Sequence, residues 1–481
     1  MPAARKLDPY GPRPEGIVKL TRAQIVRYAL ENPLVKAAEQ QVEAVHADVL
    51  KARFAWVPII TTSAGLSPGA NIQCDDVNFV SPTPAAPQTF QYCRPINNGS
   101  ADIQTIKGYF GQIKDAGVQI RLRADMVVPL YTFGKIKNAR AMAKAGEAMA
   151  KLGVEQARQE TVLRVHQAHA TLLLARESMR ILREGREVLL QAKDEVVEDL
   201  GGDDFDADLT RVDSTRDPDD LIRVELKETE VELRMFEARK VEALALGALW
   251  ALCGDAAPPG FDVAEQHLGA DLTTGTLEDL GHYKQLAKRN RPEAKMADAY
   301  VQVRKASEKL ARAYFLPDLA LLVGASYASS NAADKGMTAL YYVDNYNFSR
   351  ITAALALNWN WDFHNRAFDL KKARAELRKS EFQRDAAVRL LELDVEKAYQ
   401  DFVEAKHKVE LARKASEKNW QLIVSQQQKD TVGGGASKDL LRALAEWFEW
   451  RFRYFEALQT QNVALAALSR AVGMPLAREG F

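Results

Sequence analysis

His166 and His169 stand three residues apart on a helical stretch, a spacing at which two imidazoles could share a metal ion. Zinc needs three or four protein ligands, and no third ligand type sits nearby in sequence, so the pair reads as interface or surface histidines. Asp204-x-Asp206-x-Asp208 opens like a calcium loop, which needs glycine at its sixth position and glutamate at its twelfth. Those positions hold Leu209 and Thr215, so Asp203, Asp204, Asp206, Asp208 and Asp213 form a solvated acidic loop instead. Such a loop attracts cations strongly only where several copies meet around an axis. Val432-Gly433-Gly434-Gly435 lacks the Gly-Lys-Ser/Thr of a phosphate-binding loop. No nucleophile elbow or zinc-type cysteine pattern appears. The expectation is a protein without metal, cofactor or catalysis. Cys74 and Cys93 flank a Pro/Asn-rich stretch; a disulfide there would close a loop of about 20 residues in an oxidising compartment. Two unpaired thiols fit equally well, and Cys253 ends a helix.

The chain has 481 residues, with 65 basic and 65 acidic side chains, so the formal net charge is zero. A nucleic-acid partner would show a strong basic excess. With 18 prolines, 27 glycines and 27% charged residues, the composition is that of a largely helical chain. No window approaches the roughly 20 continuous apolar residues of a membrane-spanning helix. Residues 1–16 are polar and proline-rich and show no apolar core of a signal peptide. That fits a cytosolic protein, or a mature or mis-started form.

The elements that must position any site occur twice. Ala52-Arg53-Phe54-Ala55-Trp56-Val57-Pro58, followed by Gly65, returns as Ala311-Arg312-Ala313-Tyr314-Phe315-Leu316-Pro317, followed by Gly324. Upstream, Pro33, Lys36, Ala38 and Val42 match Pro292, Lys295, Ala297 and Val301 at the same spacing. In each copy a helix ends near proline and the period switches from 3.6 to 2. Val118, Ile120, Leu122, Ala124, Met126 and Val128 alternate with Gln119, Arg121, Arg123 and Asp125. Over 350–362, Ile351, Ala353, Leu355, Leu357, Trp359 and Trp361 alternate with Thr352, Asn358, Asn360 and Asp362. Their partners are 58–66 and 317–327. Each strand has about 9–12 residues, the length of a tilted membrane-crossing strand, although a half-buried soluble sheet alternates the same way. Four strands cannot close a barrel and lipid forbids an open edge, so a membrane reading requires several chains. Trp56, Tyr131, Phe133, Tyr314, Phe315, Trp359, Trp361 and Phe363 fall at one end of the four strands, in the manner of an interfacial aromatic girdle.

Proline-free runs follow each hairpin, at 134–199 and 364–430, each long enough to span roughly 100 Å as a helix. Shorter helices are expected over about 21–56, 219–253, 282–316 and 436–472. Val162, Val165, Ala168 and Leu172 have coiled-coil spacing. A soluble coiled-coil scaffold would explain the helices but not the aromatic-ended hairpins. Relative to the second helical tip, the first carries an acidic insertion of about 15 residues.

The order of these motifs, duplicated, resembles the TolC-type outer-membrane efflux family. The carriers are the junctions at 52–58 and 311–317, and the elbows Val128-Pro129-Leu130-Tyr131-Thr132-Phe133-Gly134 and Trp361-Asp362-Phe363-His364-Asn365-Arg366. The tip Val432-Gly433-Gly434-Gly435-Ala436-Ser437-Lys438-Asp439-Leu440-Leu441 completes the set. The resemblance covers about residues 20–474. It implies a mainly α protein with a small β part: long antiparallel coiled-coil helices plus two β-hairpins. Four strands per chain would enter a 12-stranded trimeric barrel in the outer membrane, continued by a periplasmic tunnel of helices. The corresponding domains are a flexible segment 1–20, a first repeat 21–254 (hairpin about 58–130, tip about 200–219), a connector 255–281, a second repeat 282–474 (hairpin about 317–362, tip about 431–437) and a tail 475–481. Implied partners are two further copies of the chain, a periplasmic adaptor, an inner-membrane pump and outer-membrane lipid. The function implied is a passive, gated exit duct for efflux or type I secretion. Val432, Gly433 and Gly434 stand where adaptor hairpins dock. Asp439 matches an acidic entrance position, while Arg442 stands where some members carry a second acid. Asp220/Arg223 and Asp439/Arg442 are therefore expected as gate salt bridges. Arg121, Arg123, Asn358 and Asn360 would line the barrel.

Overall fold

The computed structural model describes residues 17–69, 72–79, 88–95, 117–199, 218–270, 278–331, 347–431 and 437–476. In chain order the elements are β1 (Lys19–Leu20), α1 (Arg22–Ala29), α2 (Pro33–Arg53), β2 (Ile59–Gly69), β3 (Ile72–Phe79), β4 (Gln88–Pro95) and β5 (Gly117–Tyr131). They continue as α3 (Lys135–Asp199), α4 (Pro218–Cys253), β6 (Asp262–Val263), α5 (Leu280–Asn290), α6 (Pro292–Ala313), β7 (Asp318–Ser330), β8 (Phe348–Asn358), α7 (Phe363–Thr431) and α8 (Ser437–Val472). The chain divides into two compact units. One comprises residues 1–47, 144–303 and 377–481, the other 48–143 and 304–376.

The first unit is helical, and its two cores show the duplication. Val165 and Leu172 of α3 pack with Ile25 of α1 and Leu249 of α4. Val395 and Phe402 of α7 pack with Ala287 of α5 and Leu468 of α8. Val165 to Leu172 and Val395 to Phe402 have the same seven-residue stagger, the repeat that keeps one seam of a helix against its neighbours. The run expected at 21–56 is divided. Asn32 closes the break, its side-chain oxygen accepting from Leu34 N at 2.8 Å, and Pro33 opens α2. Proline suits that first helical position, where its missing N–H would have had no partner. The run expected at 282–316 divides at Arg291 for the same reason, with Pro292 opening α6.

The second unit holds a four-stranded antiparallel sheet in the order β2-β5-β7-β8. Its strands are the four expected from alternation, with two corrections at their ends. β5 runs on to Tyr131 past an irregularity between Pro129 and Tyr131. β8 stops at Asn358, opposite Asp318, so Asn360 and Trp361 lie beyond the strand. Its partner strand is preceded by Pro317, which has no N–H to extend the ladder. Trp359 instead turns its indole N–H to the Phe315 carbonyl at 3.1 Å.

Two pairings were not expected from sequence. β3 and β4 form an antiparallel hairpin in which Cys74 stands opposite Cys93. β1 and β6 form a parallel pair that brings the start of the chain to the connector.

Candidate functional site

The sheet of the second unit is two-faced, and its register says how. On one face, Ile60, Met126, Val323 and Ala353 form a row across all four strands. Further rows add Ala124, Ala325 and Ile351, then Leu122 and Tyr327. These side chains do not form a core: Leu66 is 74% exposed and Ile351 81%. A large uncovered apolar face is expected where another apolar medium covers it.

The opposite face carries the charge. Ser63, Arg123, Ser326 and Arg350 form one row, and Thr61, Asp125, Gly324 and Thr352 the next. Arg121 heads a third row that ends at Phe348. Arg123 Nε meets Asp125 Oδ2 at 2.6 Å. The Arg350 guanidinium lies over the Phe348 ring, 5.1 Å from its centroid. Gly324 makes the middle of this face possible. A Cβ there would come within 2.9 Å of Thr352 Oγ1 and 3.3 Å of Asp125 Oδ1. The structure thus places Arg121, Arg123 and Asn358 in strands, puts Asn360 after one, and adds Arg350. Arg350 opens the alternating stretch that sequence identified, and its pairing with Ser326 is what assigns its face.

At the other end of the strands the aromatic residues gather as expected. Tyr131 and Phe133 meet edge-on at 4.6 Å, and Trp359 and Trp361 lie 4.8 Å apart. Tyr314 is flanked by Lys135 Nζ at 5.6 Å and the Arg366 guanidinium at 4.9 Å. Lys135 also pairs with Asp318 at 2.7 Å. The elbow from β5 into α3 turns at Phe133 and Gly134, with φ of 47° and 91°. Asp362 precedes α7. Its carboxylate accepts from Asn365 Nδ2 at 2.9 Å, and that bond holds its carboxyl below the usual range.

In the helical unit, the connector is tied to α3 through buried charges. Arg176 pairs with Glu242 at 3.1 Å and with Asp262. Glu177, 1% exposed, accepts from the Leu268 backbone N–H and pairs with Arg180. His169 and Glu265 meet at 3.4 Å, and Glu265 also accepts from the Arg22 backbone N–H at 3.0 Å. Burial pushes the Glu265 carboxyl up, but the His169 and Arg22 hydrogen bonds outweigh it and bring it down to about 2. His166 and His169 are buried, which removes the surface alternative and leaves the interface one. They serve packing and pairing, and no metal-holding group occurs among the described residues. Cys253 is a buried thiol, pushed up to about 11 by desolvation.

The tip residues are only partly described. Val432, Gly433, Gly434, Asp203, Asp204, Asp206, Asp208 and Asp213 lie outside the described residues. Asp220 and Asp439 fall in the first turns of α4 and α8. Arg442 is exposed and reaches Glu446 on its own helix at 3.3 Å, and Arg223 is likewise exposed.

An uncovered apolar sheet face, a charged reverse face and long paired helices define a membrane protein of the channel type. The chain belongs to the outer membrane efflux protein family, whose pattern matches residues 25–192 and 284–474. It is an efflux channel protein of the outer membrane, a transport conduit rather than an enzyme. Channels of this family are homotrimers that work with adaptor and inner-membrane pump partners. Among solved structures, the open state of the Neisseria gonorrhoeae MtrE outer membrane channel is similar, with a TM-score of 0.72, 15% identity, and 96% of this chain and 91% of that one covered. A membrane protein from Pseudomonas aeruginosa gives 0.69, 16%, 95% and 91%. The outer membrane protein VceC of Vibrio cholerae gives 0.65, 14%, 95% and 96%. At such identities these likenesses concern the fold. None of the curated proteins compared with the sequence matches it.

Proposed function

We propose that three copies of the chain pair their sheets edge to edge into a closed 12-stranded barrel, continued by a tunnel of helices into the periplasm. One observation carries this reading: a single sheet has an uncovered apolar face, a charged face and, among the described residues, two unpaired edges, β2 and β8. In lipid every backbone N–H and C=O needs a partner, so β2 of one copy must meet β8 of the next. The apolar face then lies against acyl chains, and Trp361 (69% exposed) and its aromatic neighbours sit at the membrane interface. Exposed apolar side chains on the helices support the same assembly. Ile222, Leu226, Leu233 and Phe236 on α4 are each more than half exposed, as are Phe382, Leu390 and Leu411 on α7. They suit contact with further copies.

The duct performs no chemistry. Solutes diffuse through water in its lumen, past Arg121, Arg123 and Asn358 at the strands and Asn360 beside them. A periplasmic adaptor contacts Val432, Gly433 and Gly434, and an inner-membrane pump supplies the energy and selects much of the cargo. Asp220 with Arg223, and Asp439 with Arg442, close the entrance, and the acidic insertion at Asp203–Asp213 sets the charge at its rim. The Cys74–Cys93 register supports a disulfide in the hairpin beyond the sheet. Native mass spectrometry of the full chain from detergent tests the assembly. A trimer that survives gentle activation is expected. A monodisperse monomer that stays soluble without detergent refutes the duct and returns the chain to a coiled-coil scaffold.

A further inference from the structure

We infer that Arg121, Arg123 and Arg350 form an anion-attracting ring inside the duct, so that the solutes it passes most readily carry carboxylate, phosphate or sulfonate groups. The inference rests on the pore reading above and adds the class of solute. The three guanidiniums share the charged face of the sheet. Arg123 and Arg350 stand in one row two strands apart, about 10 Å, and Arg121 lies about 7 Å further along its strand. Among the described residues of these three rows, one carboxylate opposes them: Asp125, already engaged by Arg123. Among the described residues neither Arg121 nor Arg350 has an ion-pair partner, and all three arginines are exposed.

Three guanidiniums against one carboxylate leave a net +2 per chain, and +6 when three copies face one lumen. Apart from Phe348, the rest of these rows is small or hydroxylated: Gly65, Ser63, Thr61, Ala328, Ser326, Gly324 and Thr352. Among the described residues of these rows, Phe348 is the one bulky side chain beside the charges. Guanidinium is permanently protonated and presents paired N–H donors that match carboxylate and phosphate oxygens. Phe348 beneath Arg350 gives that side chain an apolar seat that favours one orientation over the lumen. The rows lie toward the hairpin end of the strands, away from the aromatic edge. In the pore reading the ring therefore sits at the hairpin end of the barrel.

The magnitude follows from the field. A ring potential of about one kT enriches monovalent anions and depletes cations by about 2.7-fold each, a ratio of roughly sevenfold. With a screening length of about 10 Å at 0.1 M salt, the effect spans much of a barrel interior and fades at 1 M.

The experiment compares wild type with R121Q/R123Q/R350Q in planar bilayers under a KCl gradient. The comparison cancels any contribution from the acidic tip. The variant is expected to lose roughly sevenfold in the chloride-to-potassium permeability ratio, and R121K/R123K/R350K is expected to keep the wild-type ratio. R350Q alone gives an intermediate shift, which keeps the test open should the triple variant fail to assemble. S326C in a C74S/C93S background, challenged with a bulky thiol reagent, reads independently whether this face lines the pore. Block of S326C with unchanged reversal potentials in the glutamine variants overturns anion attraction and leaves the pore standing. Absence of block overturns both.

Discussion

Glu265 joins three parts of the helical unit, and its replacement by glutamine should loosen all three. Its carboxylate accepts from the Arg22 backbone N–H at the start of α1 and meets His169 of α3, while it follows the β1–β6 pair by two residues. A carboxylate at a helix N-terminus is stabilised by the unpaired N–H groups and the helix dipole there. Holding this carboxyl at about 2 rather than at its ordinary 4.5 corresponds to roughly 3 kcal/mol if fully expressed. A third of the side chain faces water, which screens the interaction and leaves about 1–2 kcal/mol. The sign follows from the depressed value. The stabilisation is complete above the unfolded value near 4.5 and disappears as pH falls toward 2. Thermal unfolding of wild type and E265Q in detergent, followed by helix circular dichroism, measures this. At about pH 5.5 wild type should be more stable by about 1–2 kcal/mol; near pH 2.5 the gap should narrow to a small fraction of that. Hydrogen exchange should also accelerate at the Asp262 and Ala264 amides, which donate to Val18 and Leu20. A gap that is absent at pH 5.5, or that persists unchanged at pH 2.5, would refute the assignment.

Three further outcomes are expected. Gly324→Val should impair assembly and Gly324→Ala should cost about 1–2 kcal/mol, because a Cβ meets Thr352 and Asp125; G324V/T352A should recover part of the loss, and a fully assembled G324V trimer would contradict the close approach. A chain isolated from an oxidising compartment should change mobility on reduction through Cys74 and Cys93, which share a register position; complete thiol labelling without reductant would rule the bond out. Arg442→Gln should raise passive leak through the closed duct, read as spontaneous single-channel openings, and unchanged conductance would count against the gate; Glu446→Gln controls for the bond within α8.

Sequence was most informative where period and punctuation agreed. The strict alternation from Val118 to Val128, with proline at 58 and 317, located the sheet and the faces of its strands. The long helices were legible because nothing interrupts 134–199 or 364–430. Failures came where pairing partners decide the structure. β1 and β6 are two residues each, too short for any period, and exist because Asp262 and Ala264 bond back to Val18 and Leu20. The β3–β4 hairpin contains Cys74-Asp75-Asp76, which does not alternate. Asn360 continues the alternation in sequence, yet the strand ends two residues earlier because Pro317 limits its partner. His166 and His169 left interface and surface open in the sequence, because nothing local says which partner covers them. Glu265 and the Arg176–Asp262 pair, which bury that side of α3, are distant in the chain and carry no local signature.

Three copies of this chain should together enclose a water-filled path across a membrane. Single-channel recording of the purified full-length protein in planar bilayers tests it most directly. Discrete, long-lived conductance steps, reduced by divalent cations, are expected. A protein that inserts no conductance at any voltage, while remaining monodisperse without detergent, would contradict it.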